Sequence, residues 1–188
     1  MRRRSRTRRE DRPAAILDAA EDVLRRTGAR GLTIDAVAVQ AELSKGGVLH
    51  HYASKDALIR ALVARKVRRL RDGIAAHEAG QPAGRGRPAL AMVANARQTY
   101  SEEGGFPRAL LLASAENPEA LAELRAFVAE RLAQMTGIEA RPGAGSVLMF
   151  AIVGLMVGRT LGLHELPRAD AERVFDALAA LASGLGEP

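Results

Sequence analysis

Residues 33–58 read TIDAVAVQAELSKGGVLHHYASKDAL, and this stretch decides how the rest of the chain is understood. Thr33 suits a helix N-cap, and Ile34, Val37, Ala38 and Ala41 follow on one helical face. Ser44 offers a second N-cap soon after, so the first helix ends near Ala41, Glu42 and Leu43. Lys45, Gly46 and Gly47 open a second short helix, to which Val48, Leu49 and Tyr52 give the apolar spacing. Two helices joined by about three residues make a helix-turn-helix, with the second placed to enter a major groove. Gly46 and Gly47 remove side-chain bulk from the start of that second helix. They cost about 1 kcal/mol each in helix stability. Close approach of the backbone to something outside the chain explains them better than folding does.

The charge distribution agrees with that reading. Residues 1–79 hold 18 Lys and Arg against 10 Asp and Glu, whereas residues 80–188 hold 10 against 12. The basic excess therefore sits with the motif, as an electrostatic footprint for phosphate would. The first nine residues, MRRRSRTRR, contain six arginines and form a basic arm, expected to be disordered alone. Such an arm lies along phosphates or reaches into a narrow minor groove. The chain has no cysteine, which excludes a disulfide framework, a Cys-based zinc site and a thiol nucleophile. No apolar run follows the arginines, so no secretory signal is visible and a cytoplasmic protein is expected.

Along the chain, a first helix is predicted over 11–27, with Pro13 in its first turn and Gly28 as its stop. Its stripe of Ile16, Leu17, Ala20, Val23 and Leu24 would clamp the helix pair. Ser54 caps a fourth helix, with Leu58, Ile59, Leu62, Val63 and Val67 inward; Arg60, Arg65, Lys66, Arg68, Arg69 and Arg71 read as a solvated basic face. The segment GQPAGRGRP at 80–88 is a loop by composition. It divides a basic arm (1–9) and a DNA-binding domain (10–70) from a C-terminal domain (80–188). Helical patterns recur over 88–103, 106–114 and 118–136, and no run alternates at period two. The predicted fold class is all-α.

Residues 146–163, SVLMFAIVGLMVGRTLGL, are apolar all round until Arg159, which predicts burial on most faces. A membrane span needs about 20 apolar residues, and Arg159 interrupts this run, so a core helix is expected and no membrane. Gly154, Gly158 and Gly162 recur every four residues with Ala151 nearby, a spacing that lets a second helix backbone approach closely. An amphipathic helix over 168–185 follows, carrying Val174, Leu178 and Leu181.

The run from Thr33 through Ser44, Gly46, His51, Tyr52, Lys55, Asp56 and Leu58 resembles the DNA-binding domain of the tetracycline-repressor (TetR) family. Tyr52 stands where that family usually has Phe, Leu49 where it often has Tyr, and Glu42 where Gly is common in the turn. The likeness is detailed over about residues 10–75 and beyond them is one of length and helix count. It implies an N-terminal three-helix helix-turn-helix domain, a C-terminal helical ligand-binding and dimerisation domain, and a homodimeric repressor. The two copies of helix 44–52 would read the half-sites of a near-palindromic double-stranded operator. A small-molecule effector would release it, through differential affinity for two states of the dimer.

On this reading Thr33, Ser44, Lys45, His51 and Lys55 position phosphates, and Lys45, Gly47, Leu49 and His50 face base edges, with Gly46 in the close approach. The last two long helices would pair with their twofold mates through Ala151, Gly154, Gly158, Gly162, Val174, Leu178 and Leu181. Met92, Tyr100, Leu111, Phe127, Met135, Phe150 and Met156 are candidates for an effector pocket and equally for plain core. With no Trp and six aromatic residues of other kinds, the pocket suits an aliphatic or mixed-polarity effector rather than a caged cation.

Catalytic patterns are lacking. His50 and His51 are adjacent and point to different helix faces, and His164 has no ligand partner at metal spacing. There is no nucleophile elbow, phosphate loop or dinucleotide fingerprint. No enzyme activity, metal or cofactor is expected. The rival reading is a basic helical protein that binds anionic membrane surfaces or partner proteins through its arm and fourth helix.

Overall fold

The computed structural model describes residues 12–81, 83–101, 108–115 and 117–187. The basic arm over 1–9 and the expected helix start at residue 11 lie outside the described residues, as does the expected start of a helix at 106. Among the described residues the chain is helical, with no strand. The helices are α1 (Arg12–Gly31), α2 (Ile34–Gln40), α3 (Lys45–His51), α4 (Lys55–Ala79), α5 (Arg87–Ser101), α6 (Arg108–Ala115), α7 (Ala122–Ile138), α8 (Ala144–Leu161) and α9 (Arg168–Ser183). Short 3-10 turns cover Pro118–Leu121 and Gly184–Gly186.

Contacts divide the chain into two compact units. The first draws on 1–65 and 107–123, and the second on 66–106 and 124–188. The division therefore falls inside α4 rather than in the loop at 80–88, and α6 joins the unit that holds the helix-turn-helix. Periodicity sees a helix at 108–115 but not which neighbour its apolar face will meet.

In the first unit, α1 buries Ile16, Leu17, Ala20, Val23 and Leu24, the stripe read from the sequence. It packs against α2 and α6. Gly28 breaks the helix with φ +70° and ψ −171°, an essentially glycine-only conformation that costs other residues about 1–3 kcal/mol. Tyr52 ties the end of α3 back to this helix by donating its hydroxyl to the Pro13 carbonyl at 3.1 Å. The solvated basic face expected of α4 is not uniform. Arg65 is only 12 % exposed and pairs with Asp18 at 2.6 Å and Glu21 at 2.8 Å on α1. Those carboxylates lie more than 40 residues away in sequence, beyond the reach of any helical-face argument.

In the second unit, α9 packs along α5, and both touch α8. Tyr100 meets Phe175 edge to face with ring centroids 5.5 Å apart. Arg159 lies over the Tyr100 ring at 4.3 Å, so the charge that interrupts the apolar run of α8 rests on a π face. Arg71 also departs from the solvated face: it pairs with Glu130 at 2.6 Å and lies 5.6 Å from the Phe127 centroid. Arg131 pairs with the same carboxylate. The α8 N-terminus is closed by a side chain from outside the helix. Glu139 accepts from the Gly143 N–H at 3.0 Å and from the Gly145 N–H at 2.6 Å.

Candidate nucleic-acid interface

Helices α2 and α3 form as the capping residues dictate. The Thr33 hydroxyl oxygen accepts from the Ala36 N–H at 3.1 Å, and Ser44 accepts from the Gly47 N–H at 3.0 Å. A third cap, Ser54, accepts from the Ala57 N–H at 3.1 Å and sets the start of α4. In all three the hydroxyl uses a lone pair and keeps its proton free to donate, for example to a phosphate oxygen.

Between α2 and α3 the chain turns through a Schellman motif. The Leu43 N–H donates to the Ala38 carbonyl at 2.9 Å and the Glu42 N–H to the Val39 carbonyl at 3.2 Å. Glu42 sits at φ +54°, the left-handed position where glycine is at home. Val37, Ala38 and Val48 are buried, and this apolar contact fixes how α3 is held on α2.

With Val48 turned inward, α3 leaves Lys45, Gly46, Leu49 and His50 exposed, with Gly47 and His51 half-buried. Lys55, at the first position of α4, is half-buried, and Thr33 and Ser44 are exposed at their caps. Apart from its chain neighbours and its own helix backbone, a Cβ built on Gly46 or Gly47 would come no closer than 3.4 Å to any atom. Neither glycine is required by the packing within this protein. The His50 and His51 rings, expected to diverge, meet edge to face at 5.2 Å. No group of three potential metal-ligating residues occurs among the described residues.

Sequence reading missed one member of this surface. Lys45 Nζ lies 3.0 Å from Oδ2 of Asp35, in the first turn of α2, and both side chains are more than half exposed. The signal was a carboxylate ten residues ahead of a lysine, straddling a turn that folds the two helix starts together.

The candidate dimer and pocket residues separate on the structure. On α8, Ala151 and Gly154 are exposed and lie between Phe150, 60 % exposed, and Val157. Val147 adds 63 % exposure to the same helix, so the expectation of burial on most faces does not hold within one chain. By length and composition α8 is long and apolar enough to cross a membrane. Gly158 does not face outward. A Cβ there would lie 2.7 Å from the His164 ring, which turns back to bond the Leu155 carbonyl. Gly162 lies past the helix, at φ +73°, as its left-handed C-terminal residue.

On α9, Val174 and Leu181 are exposed, whereas Leu178 is buried within its own unit. Of the pocket candidates, Met92, Tyr100, Phe127 and Met135 are buried in the second unit, and Met156 is half-buried. Phe150 is on the exposed face instead, because its position on α8 falls opposite the buried Leu148, Met149 and Ile152. Leu111 belongs to the first unit, where α6 packs on α1.

Two family models match, one described as "Bacterial regulatory proteins, tetR family" over residues 16–62 and one as "Tetracyclin repressor-like, C-terminal domain" over 86–183. The second alone spans more than half of the chain. This protein belongs to the TetR family. Its fold recurs in a TetR-family transcriptional regulator from Streptomyces coelicolor, 21 % identical, with a TM-score of 0.73 over 95 % of this chain and 97 % of that one. A transcriptional regulator from Pseudomonas aeruginosa is 20 % identical, with a TM-score of 0.75 over 98 % and 95 % of the two chains. The multidrug binding protein EbrR, solved with malachite green, is 20 % identical, with a TM-score of 0.70 over 91 % and 98 %. No curated protein sequence matches the chain. The TetR-family assignment makes the helix-turn-helix the DNA-binding part of a transcriptional regulator.

Proposed function

We propose that this TetR-family regulator is a homodimeric repressor that binds a near-palindromic operator and is released by a small molecule. The observation that carries the reading is the surface of α3, where Val48 anchors the helix and Lys45, Gly46, Leu49 and His50 are left for an outside partner. Thr33, Ser44, Lys45, His51 and Lys55 would position phosphates, and Lys45, Gly47, Leu49 and His50 would face base edges, Leu49 toward a thymine methyl. Two copies would meet through the exposed apolar face of α8 around Ala151 and Gly154, joined by Val174 and Leu181 of α9. Membership of a DNA-binding family favours that use of α8 over a membrane, and a cytoplasmic location fits it. The arm over 1–9 would add sequence-independent affinity through phosphate.

The effector would occupy the second unit near Met92, Tyr100, Phe127, Met135 and Met156, whose lining suits an aliphatic or mixed-polarity molecule. Selection of bound duplexes from a random pool with the full chain tests the central claim. Enriched sequences with two inverted half-sites about one helical turn apart support a dimeric reader. Enrichment of a single unrepeated site, or of none, overturns it.

A further inference from the structure

We propose that Asp35 and Lys45 act as one reading unit that specifies a G·C base pair in each half-site, the lysine donating to guanine and the aspartate accepting from cytosine. The inference rests on the helix-turn-helix being the DNA-contacting surface, and it adds a residue and a base identity to that reading. The two side chains meet at 3.0 Å with 60 % and 67 % of their surface exposed. An ion pair so wet adds little to folding stability. Asp35 is not a capping residue either, since the Thr33 hydroxyl already closes the start of α2. A carboxylate on a surface built for a polyanion repels every phosphate it approaches, and it removes a lysine from the counter-ion balance. Its place is explained if the pair meets a donor as well as an acceptor.

The major-groove edge of a G·C pair offers that combination. Guanine presents N7 and O6 as acceptors, and cytosine presents its N4 amino group beside O6. O6 and N4 are the two ends of one N–H···O bond, about 2.9 Å apart. The protein presents a donor and an acceptor 3.0 Å apart, in complementary order. A T·A pair also sets an acceptor, thymine O4, beside a donor, adenine N6, but where guanine offers N7 as a second acceptor for the ammonium it puts the thymine C5 methyl. The match there is poorer. Without Asp35, the lysine becomes a mobile point charge that is drawn to the nearest phosphate.

The test uses the full-length protein. The duplex selected from the random pool is labelled, and each base pair of one half-site is replaced in turn. Wild type should lose about tenfold to a hundredfold in affinity when one G·C pair is changed. Asp35→Ala and Asp35→Asn should erase the preference at that position alone, while steepening the salt dependence by about one unit of slope per subunit. Lys45→Met should erase the same preference without steepening the slope. Thermal melts should match wild type, because both side chains are exposed. If both Asp35 variants keep the wild-type preference at every position, or lose affinity evenly across all positions, the pair reads no base. If wild type itself enriches no duplex, the DNA-contacting surface is wrong and the pairing proposal falls with it.

Discussion

Helices α2 and α8 end in the same hydrogen-bond pattern with different residues at its pivot. At the end of α2 the left-handed position is filled by Glu42, and at the end of α8 by Gly162. In α8 the Leu163 N–H donates to the Gly158 carbonyl at 2.8 Å and the Gly162 N–H to Arg159 at 3.0 Å, repeating the bonds made by Leu43 and Glu42. One end uses the residue that fits without strain. The other holds a charged side chain at φ +54° in the turn between α2 and α3. Helix α8 thus ends without strain, whereas the turn between α2 and α3 tolerates it. Residues that look alike in sequence, above all the glycines, therefore differ in what they do.

The largest effect expected from breaking this comparison is at Gly145. A Cβ there would lie 2.6 Å from the Met135 backbone carbonyl, which cannot rotate away. Gly145→Leu should cost about 3 kcal/mol and lower the melting temperature of the second unit while α1 to α3 keep their helical signal. A variant that melts with wild type would show that α7 and α8 are free to separate. Next comes Gly154→Leu, where a Cβ would meet nothing within 4 Å beyond its chain neighbours and its own helix backbone. Its monomer should be as stable as wild type, but the dimer should dissociate about tenfold or more readily in sedimentation. An unaffected dimer would place the interface away from this face of α8.

A matched pair of substitutions follows. Gly162→Ala should destabilise by about 1 kcal/mol because a Cβ is strained at positive φ. Glu42→Gly should stabilise by a similar amount through the same rule with the sign reversed. Chemical denaturation of the two variants side by side measures both, and equal signs would remove the shared-motif argument. The smallest effect concerns Glu130. Hydrogen bonds from Arg71 and then Arg131 hold its carboxyl below the ordinary carboxylate range. Its contribution to stability is present above the unfolded value of about 4.3 and fades as pH falls below it. Glu130→Gln should flatten the acid side of the melting profile slightly, by an amount limited by solvent screening.

Much of the DNA-contacting part was legible because its signals are local. Thr33, Ser44 and Ser54 cap the helices they were expected to cap, and Gly28 breaks α1 where it was expected to stop. The failures are non-local. Arg65 and Arg71 were read as solvated because their partners Asp18, Glu21 and Glu130 lie on other helices. The four-residue glycine repeat was read as one crossing face. Gly154 lies open, Gly158 receives the His164 ring, and Gly162 ends the helix. Spacing reports that a side chain is missing, and only the neighbours report why. Asp35 was passed over because its partner is brought near by a turn rather than by a helical period.

The carboxylate of Glu139 has a consequence for how the second unit opens. It is covalently part of the segment leaving α7, yet it holds the first free amides of α8, at Gly143 and Gly145. Those amides are bonded only while residue 139 stays in place. Fraying of α8 from its start is thus coupled to loosening of the end of α7, and the two should exchange their amide hydrogens with one common protection factor. In an exchange experiment they would register as a single foldon spanning both helices, with the cap at Glu139 as its hinge pin.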